Sequence, residues 1–261
     1  MSIIQAIIIA IIEGITEFLP VSSTGHMIIT EKIMHVTDND FTKLFTVAIQ
    51  FGAILAVVAL YWKKFIDFKR WQFYLKLLIA VIPALLLGAL FSDKIDSLLE
   101  SSTTVAISLL LGGVVLVMID NYFNQPVLEK EEDISYRKGF ITGIWQCIAM
   151  IPGVSRSAAS IIGGMQQGMT RKLAAEFSFF LAVPTMAAAT GYKLLKGYKT
   201  FTPEHIKLLA IGNLVAFVVA MLAIKFFIGF LQKYGFRLFG YYRIAVGIVL
   251  IILILAGVIN R

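Results

Sequence analysis

Seven stretches of this chain carry no Asp, Glu, Lys or Arg: Leu44–Trp62, Leu77–Ser92, Ser101–Ile119, Gly139–Ser155, Phe177–Tyr192, Leu208–Ile224 and Ile244–Asn260. Each approaches the roughly 17–25 residues that carry a helix across a bilayer core. A soluble fold would have to bury many wholly apolar helices in one core. The chain is therefore expected to be an all-α polytopic membrane protein, a single integral-membrane domain over 1–261. Composition agrees, with 59% hydrophobic and 15% charged residues, against about 25% charged in ordinary globular chains. The net charge of +7 does not call for nucleic acid. Lys63, Lys64, Lys69 and Arg70 crowd one short loop, the pattern of cytoplasmic anchoring. A lone Cys147 excludes an internal disulfide framework and a cysteine metal cluster, and reads as a small buried hydrophobe. The apolar run Ile3–Ile12 lacks a basic leader and is interrupted by Glu13, so it is not expected to be a secretory signal.

Chemistry is concentrated in EGITEFLPVSSTGH, residues 13–26. Charge at membrane depth costs about 2.5–3.5 kcal/mol per residue on insertion scales, so it marks a functional site by default. Glu13 and Glu17, four apart, share a helix face. Such a pair can ligate a hard cation such as Mg²⁺ or share a proton as an acid/base pair. Pro20 is expected to end the helix. Ser22, Ser23, Thr24 and Gly25 then open a second helix, whose first amides form an anion site unless the hydroxyls cap them. His26 is placed to exchange a proton near neutral pH, or to serve structurally.

The halves resemble each other at a shift of about 130 residues. FLPVSSTGH aligns with MIPGVSRSA, setting Pro20 on Pro152, Ser23 on Ser155 and Thr24 on Arg156. KLLIAVIPALLLGAL from Lys76 aligns with KLLAIGNLVAFVVAM from Lys207. Each half reads as a Pro-broken segment with a polar loop, then three apolar helices. Repeat 1 covers about 1–122 and repeat 2 about 136–261. Irregular backbone at depth is tolerated only inside protein or beside water. Both broken segments are therefore expected to be re-entrant hairpins. With three crossings per half the repeats are inverted, giving about six transmembrane helices plus two hairpins from opposite faces. By the loop charges, Lys63–Arg70 faces the cytoplasm, and Ser92–Ser102, with Asp93, Asp96 and Glu100, is an external loop. Glu129–Lys138 reads as an exposed loop.

The second polar loop, PGVSRSAAS, brings Gly153 for close backbone approach, Ser155 and Ser157 where a helix restarts, and Arg156 for bidentate phosphate recognition. If the tips meet, carboxylates, hydroxyls, imidazole and guanidinium make a phosphoryl-transfer inventory. The inverted-repeat architecture alone also allows a secondary transporter or flippase for an anion or lipid phosphate.

EGITEFLPVSSTGH and PGVSRSAAS resemble the two signature segments of the bacterial undecaprenyl-diphosphatase family of the bacitracin-resistance type. EFSFFLAVP (176–184) and AIQFGAILAV (48–57) are similar to it too. The resemblance implies hydrolysis of undecaprenyl diphosphate to the monophosphate and phosphate, with a divalent cation, Mg²⁺ or Ca²⁺. It implies a bacterial cytoplasmic membrane location, and the loop charges place the first hairpin's opening and the site on the outer side. Glu13 and Glu17 match the family's acidic pair, with Glu13 and Glu17 as metal ligands. Ser22, Ser23 and His26 match its loop residues, and Arg156 its arginine. Expected catalytic residues are Glu17, Ser23, His26 and Arg156, with Ser22, Thr24, Gly25, Gly153, Ser155 and Ser157 around the substrate. The nucleophile is left open among Ser23, Ser22, His26 and water. Expected partners are a polyprenyl diphosphate and membrane lipids, with a homodimer admissible.

Overall fold

The structure is a computed structural model. It describes all residues but 38, 68, 100, 198–201 and 260–261, with backbone alone for 92–99 and 197. Six helices are long and apolar enough to cross a membrane, and there is no strand among the described residues. They are α3 (Asp40–Leu60), α5 (Trp71–Leu99), α6 (Ser102–Tyr122), α9 (Arg171–Gly197), α10 (Pro203–Tyr234) and α11 (Arg237–Leu255). A short α4 (Trp62–Ile66) follows α3.

The two Pro-broken segments form helical hairpins. The first pairs α1 (Ile3–Thr16) with α2 (Ser23–Ile33), and the second pairs α7 (Tyr136–Cys147) with α8 (Arg156–Gln166). The longest of these, α1, has 14 residues, about 21 Å at 1.5 Å per residue, short of a hydrocarbon core of about 30 Å. None of the four can cross, so each chain segment turns back inside the bundle.

Hairpin and long helices pack reciprocally across the halves. α1 lies on α10, and α7 lies on α5. Both contacts are close enough to need glycine. A Cβ on Gly14 would stand 2.8 Å from that of Val219. One on Gly143 would collide with the Ala80 carbonyl. α3 packs on α10 and α9, and α6 packs on α11. The open end of the first hairpin lies beside the start of α3, where Gln5 donates to the Met34 carbonyl at 3.0 Å. The open end of the second lies beyond the other end of α3. There Lys64 and Arg70 contact Glu131 at 2.7 and 3.0 Å, just before α7.

Several expectations need correction. α1 stops at Thr16, four residues before Pro20, with Glu17 as its C-cap; the proline forbids resumption of the helix rather than ending it. The segment 92–99, expected as part of an external loop, continues α5 to Leu99 past a kink at Phe91 (φ −119°, ψ 18°). No helix breaker stands there, and Glu100 lies outside the described residues. Glu129–Lys138 is not wholly exposed, because Glu131 is buried beneath Lys64 and Arg70, and Lys76 donates to the Glu131 and Glu132 carbonyls.

Candidate active site between the hairpin tips

The last turn of α1 places Glu13 and Glu17 on the face turned into the bundle, at 0% and 8% exposure. After Glu17 the chain turns through Phe18–Val21 and reaches Ser22 at φ 70°, ψ 99°. This positive-φ backbone is uncommon for a residue with a Cβ and marks local strain of about 1–3 kcal/mol. α2 restarts at Ser23. Its hydroxyl donates to Glu17 Oε2 at 2.9 Å, closing the turn over six residues.

The second loop is built the same way. Ser155, the N-cap of α8, has φ 73° and ψ 115°. This sets the correspondence one residue off the sequence alignment: Ser22 matches Ser155, and Ser23 matches Arg156. The second loop is one residue longer and absorbs it at Gly153, φ 87°, a conformation glycine adopts without steric cost.

The tips converge. Arg156 Nη2 stands 2.8 Å from Glu17 Oε1, with both side chains largely buried. Arg156 Nη1 also donates to the Ser178 carbonyl at 3.2 Å, and its guanidinium lies 5.5 Å from the Phe18 ring centre. Ser157 donates to the Leu19 carbonyl at 2.8 Å, and the Ser155 and Ser157 hydroxyls are 3.1 Å apart. Arg156 Nε is buried without an acceptor, leaving one donor unused.

The two helix starts differ. Ser155 caps α8 by accepting from the Ala158 amide at 3.3 Å. Ser22, one of the hydroxyls that could have capped α2, makes no such bond. The first amides of α2 are thus available to an anion beside Ser23 and Arg156. Thr24 is half-buried in that first turn. Gly25 faces packing rather than the loop, since a Cβ there would stand 2.8 Å from a Leu109 methyl.

Glu13 and Glu17 are neighbours, and a contact between two carboxylates needs a proton or a cation between them. No N–H or O–H donor reaches either oxygen of Glu13. A buried carboxylate with both oxygens unmet fits one ligand of a hard cation whose other ligands are oxygens. Among the described residues no group of three acidic, His or Cys side chains forms a fuller cage.

His26 sits one turn into α2. Its Nδ1 lies 2.8 Å from the Ser22 carbonyl and its Nε2 2.7 Å from the Tyr242 hydroxyl. A carbonyl only accepts, so Nδ1 carries the proton and Nε2 accepts from Tyr242. His26 is thereby engaged on both nitrogens.

Sequence reasoning missed Arg243. It is 0% exposed and donates to the carbonyls of Pro20, Val154, Ser108 and Gly153 at 3.2, 2.9, 3.1 and 2.9 Å. One guanidinium from α11 thus ties both loops to each other and to α6. The signal is present in the sequence: Arg243 is a charge within an apolar helix, at the border of the charge-free window Ile244–Asn260. Ser178 and Met186, against Arg156, carried no signal because they lie in an unremarkable stretch of α9.

Fold and site together define a multi-pass α-helical membrane protein with a buried carboxylate–serine–arginine centre, a set suited to phosphoryl transfer. The family model described as bacitracin resistance protein BacA matches residues 6–249, and the chain belongs to that family. It is 61% identical to the undecaprenyl-diphosphatase of Flavobacterium psychrophilum over 256 residues, 97% of this chain and 96% of that one. It is 55% identical to the undecaprenyl-diphosphatase of Bdellovibrio bacteriovorus, over 98% of each chain. It is 44% identical to that of Aquifex aeolicus, over 94% of this chain and 96% of the other.

Proposed function

We propose that the chain is a membrane phosphatase that hydrolyses undecaprenyl diphosphate to undecaprenyl phosphate and inorganic phosphate, recycling the lipid carrier of cell-wall synthesis. Its membership of the family and its relatives' names support the substrate. One observation carries the mechanism: the Ser23 hydroxyl donates to Glu17 Oε2 at 2.9 Å. A transporter needs carboxylates to couple ions but no hydroxyl poised on one of them.

In this reading Ser23 Oγ attacks the terminal phosphorus, and its proton passes to Glu17 Oε2. The bond from that phosphorus to the bridging oxygen breaks, and undecaprenyl phosphate leaves with the electron pair and takes that proton from Glu17, which is again a carboxylate. Water then attacks the phosphoserine, giving a proton to Glu17, and the Ser23 oxygen departs and takes one back. Arg156 and the uncapped amides of α2 hold the phosphoryl oxygens as charge builds on them. Glu13 and Glu17 would hold a divalent cation, Mg²⁺ or Ca²⁺, which when bound neutralises diphosphate oxygens. The arginine, serine and glutamate positions do the rest by orientation.

We also infer that the two halves are inverted repeats in the bacterial cytoplasmic membrane, with the site facing the outer side. The repeated element order, the reciprocal packing of α1 on α10 and α7 on α5, and the basic loop at the second hairpin's open end support this. The decisive assay is phosphate release from undecaprenyl diphosphate by the detergent-solubilised chain and by Ser23→Ala. The wild type should turn over and yield phosphoserine at Ser23 on rapid quenching. Full turnover by Ser23→Ala would pass the attack to water.

A further inference from the structure

Two adjacent residues of α11 hold the carbonyls on either side of the catalytic bend. Arg243 binds the Pro20 carbonyl directly. Tyr242 reaches the Ser22 carbonyl through His26: Tyr242 Oη to His26 Nε2 is 2.7 Å, and His26 Nδ1 to Ser22 O is 2.8 Å. The Tyr242 and His26 rings are near-parallel, 11° apart with centres at 5.5 Å, which fixes the imidazole plane as well as its tautomer. Ser22 is the strained residue between these anchors. Strained backbone persists only where surroundings over-determine it.

We propose that Tyr242 is a positioning residue for the reaction. Its hydroxyl keeps His26 in the Nδ1–H tautomer. That N–H holds Ser22 in the bend that aims Ser23 and the first amides of α2 at the phosphate. This rests on the phosphatase reading above. Removing the hydroxyl frees the ring to exchange tautomers. In the other tautomer Nδ1 presents a lone pair to the Ser22 carbonyl, and the bend loses its hold.

Tyr242→Phe removes only the hydroxyl and leaves a ring that is half-exposed, so the fold should persist. Three measurements on the solubilised full chain test the proposal. First, kcat should fall about three- to tenfold, the scale of one neutral hydrogen bond, with KM and thermal midpoint little changed. Second, ¹⁵N-histidine NMR, with His26 assigned by its loss in His26→Asn, should pass from one tautomer to a mixture. Third, Tyr242→Phe should cost nothing further in the His26→Asn background, because it acts through that ring. Unchanged turnover, an unchanged tautomer, or losses that multiply in the double variant would each overturn the proposal. A wild type that releases no phosphate would instead sink the phosphatase reading itself.

Discussion

Arg156 Nη2 and Glu17 Oε1 are 2.8 Å apart across 139 residues of sequence, inside the bundle. Each belongs to a different hairpin, so this one contact makes a single site of two half-sites. It also holds Glu17 still while its other oxygen accepts from Ser23.

Glu17→Gln should therefore lower kcat about 10²-fold or more, the range for a lost acid/base group. The amide keeps the shape but no longer takes the Ser23 proton. Near-normal turnover at saturating metal would remove Glu17 from the chemistry.

Arg156→Lys retains charge but cannot reach Glu17, the Ser178 carbonyl and a phosphoryl oxygen together, because an ammonium lacks the planar fork. We expect Lys to lose most of the activity and Ala nearly all. Equal, mild losses for both would assign Arg156 to packing.

Glu13 makes its own prediction. A chelator should abolish phosphate release, and Glu13→Gln should raise the Mg²⁺ or Ca²⁺ concentration for half-maximal rate at least about tenfold, the loss seen even for outer-shell partners. The cation dependence of initial rates measures this. Chelator-resistant turnover in the wild type would exclude Glu13 as a ligand and leave a shared proton between the carboxylates.

Arg243→Met should strip four buried carbonyls of their donor. Each unmet group costs about 1–3 kcal/mol, so the thermal midpoint should drop sharply. Gly153→Ala should behave similarly, since its Cβ would stand 2.6 Å from the Val105 carbonyl at a φ of 87°. Calorimetry in detergent reads both, and a midpoint within error of wild type would deny the clamp.

Glu131 tests the far end of the molecule. Removing it takes the anion from Lys64 and leaves Arg70 with Glu132 alone, at 2.8 Å. Glu131→Ala should cost about 1.5–3 kcal/mol of stability, the scale of a hydrogen bond to a charged group, with kcat unaltered. A fall in kcat without a fall in stability would tie this loop to the site instead.

The six crossing helices were legible in the sequence because lipid imposes one rule on every residue of a span: apolar side chains over a fixed length. The hairpins were legible because a proline and a run of hydroxyls cannot lie in lipid unpartnered. Glu13, Glu17, Ser23 and Arg156 stood out because charge and hydroxyls are costly there. What the chain by itself did not determine were the relations that need a third dimension. The Glu17–Arg156 contact, the capped start of α8 against the uncapped start of α2, and the one-residue offset at Gly153 depend on backbone angles and on helices distant in sequence. Tyr242 and Arg243 are the clearest case. Arg243 is a visible charge in an apolar helix, but only the packing of α11 against α6 sets it on the carbonyls of two loops and sets Tyr242 on His26. Composition specifies what must be buried, and tertiary packing decides which buried groups meet.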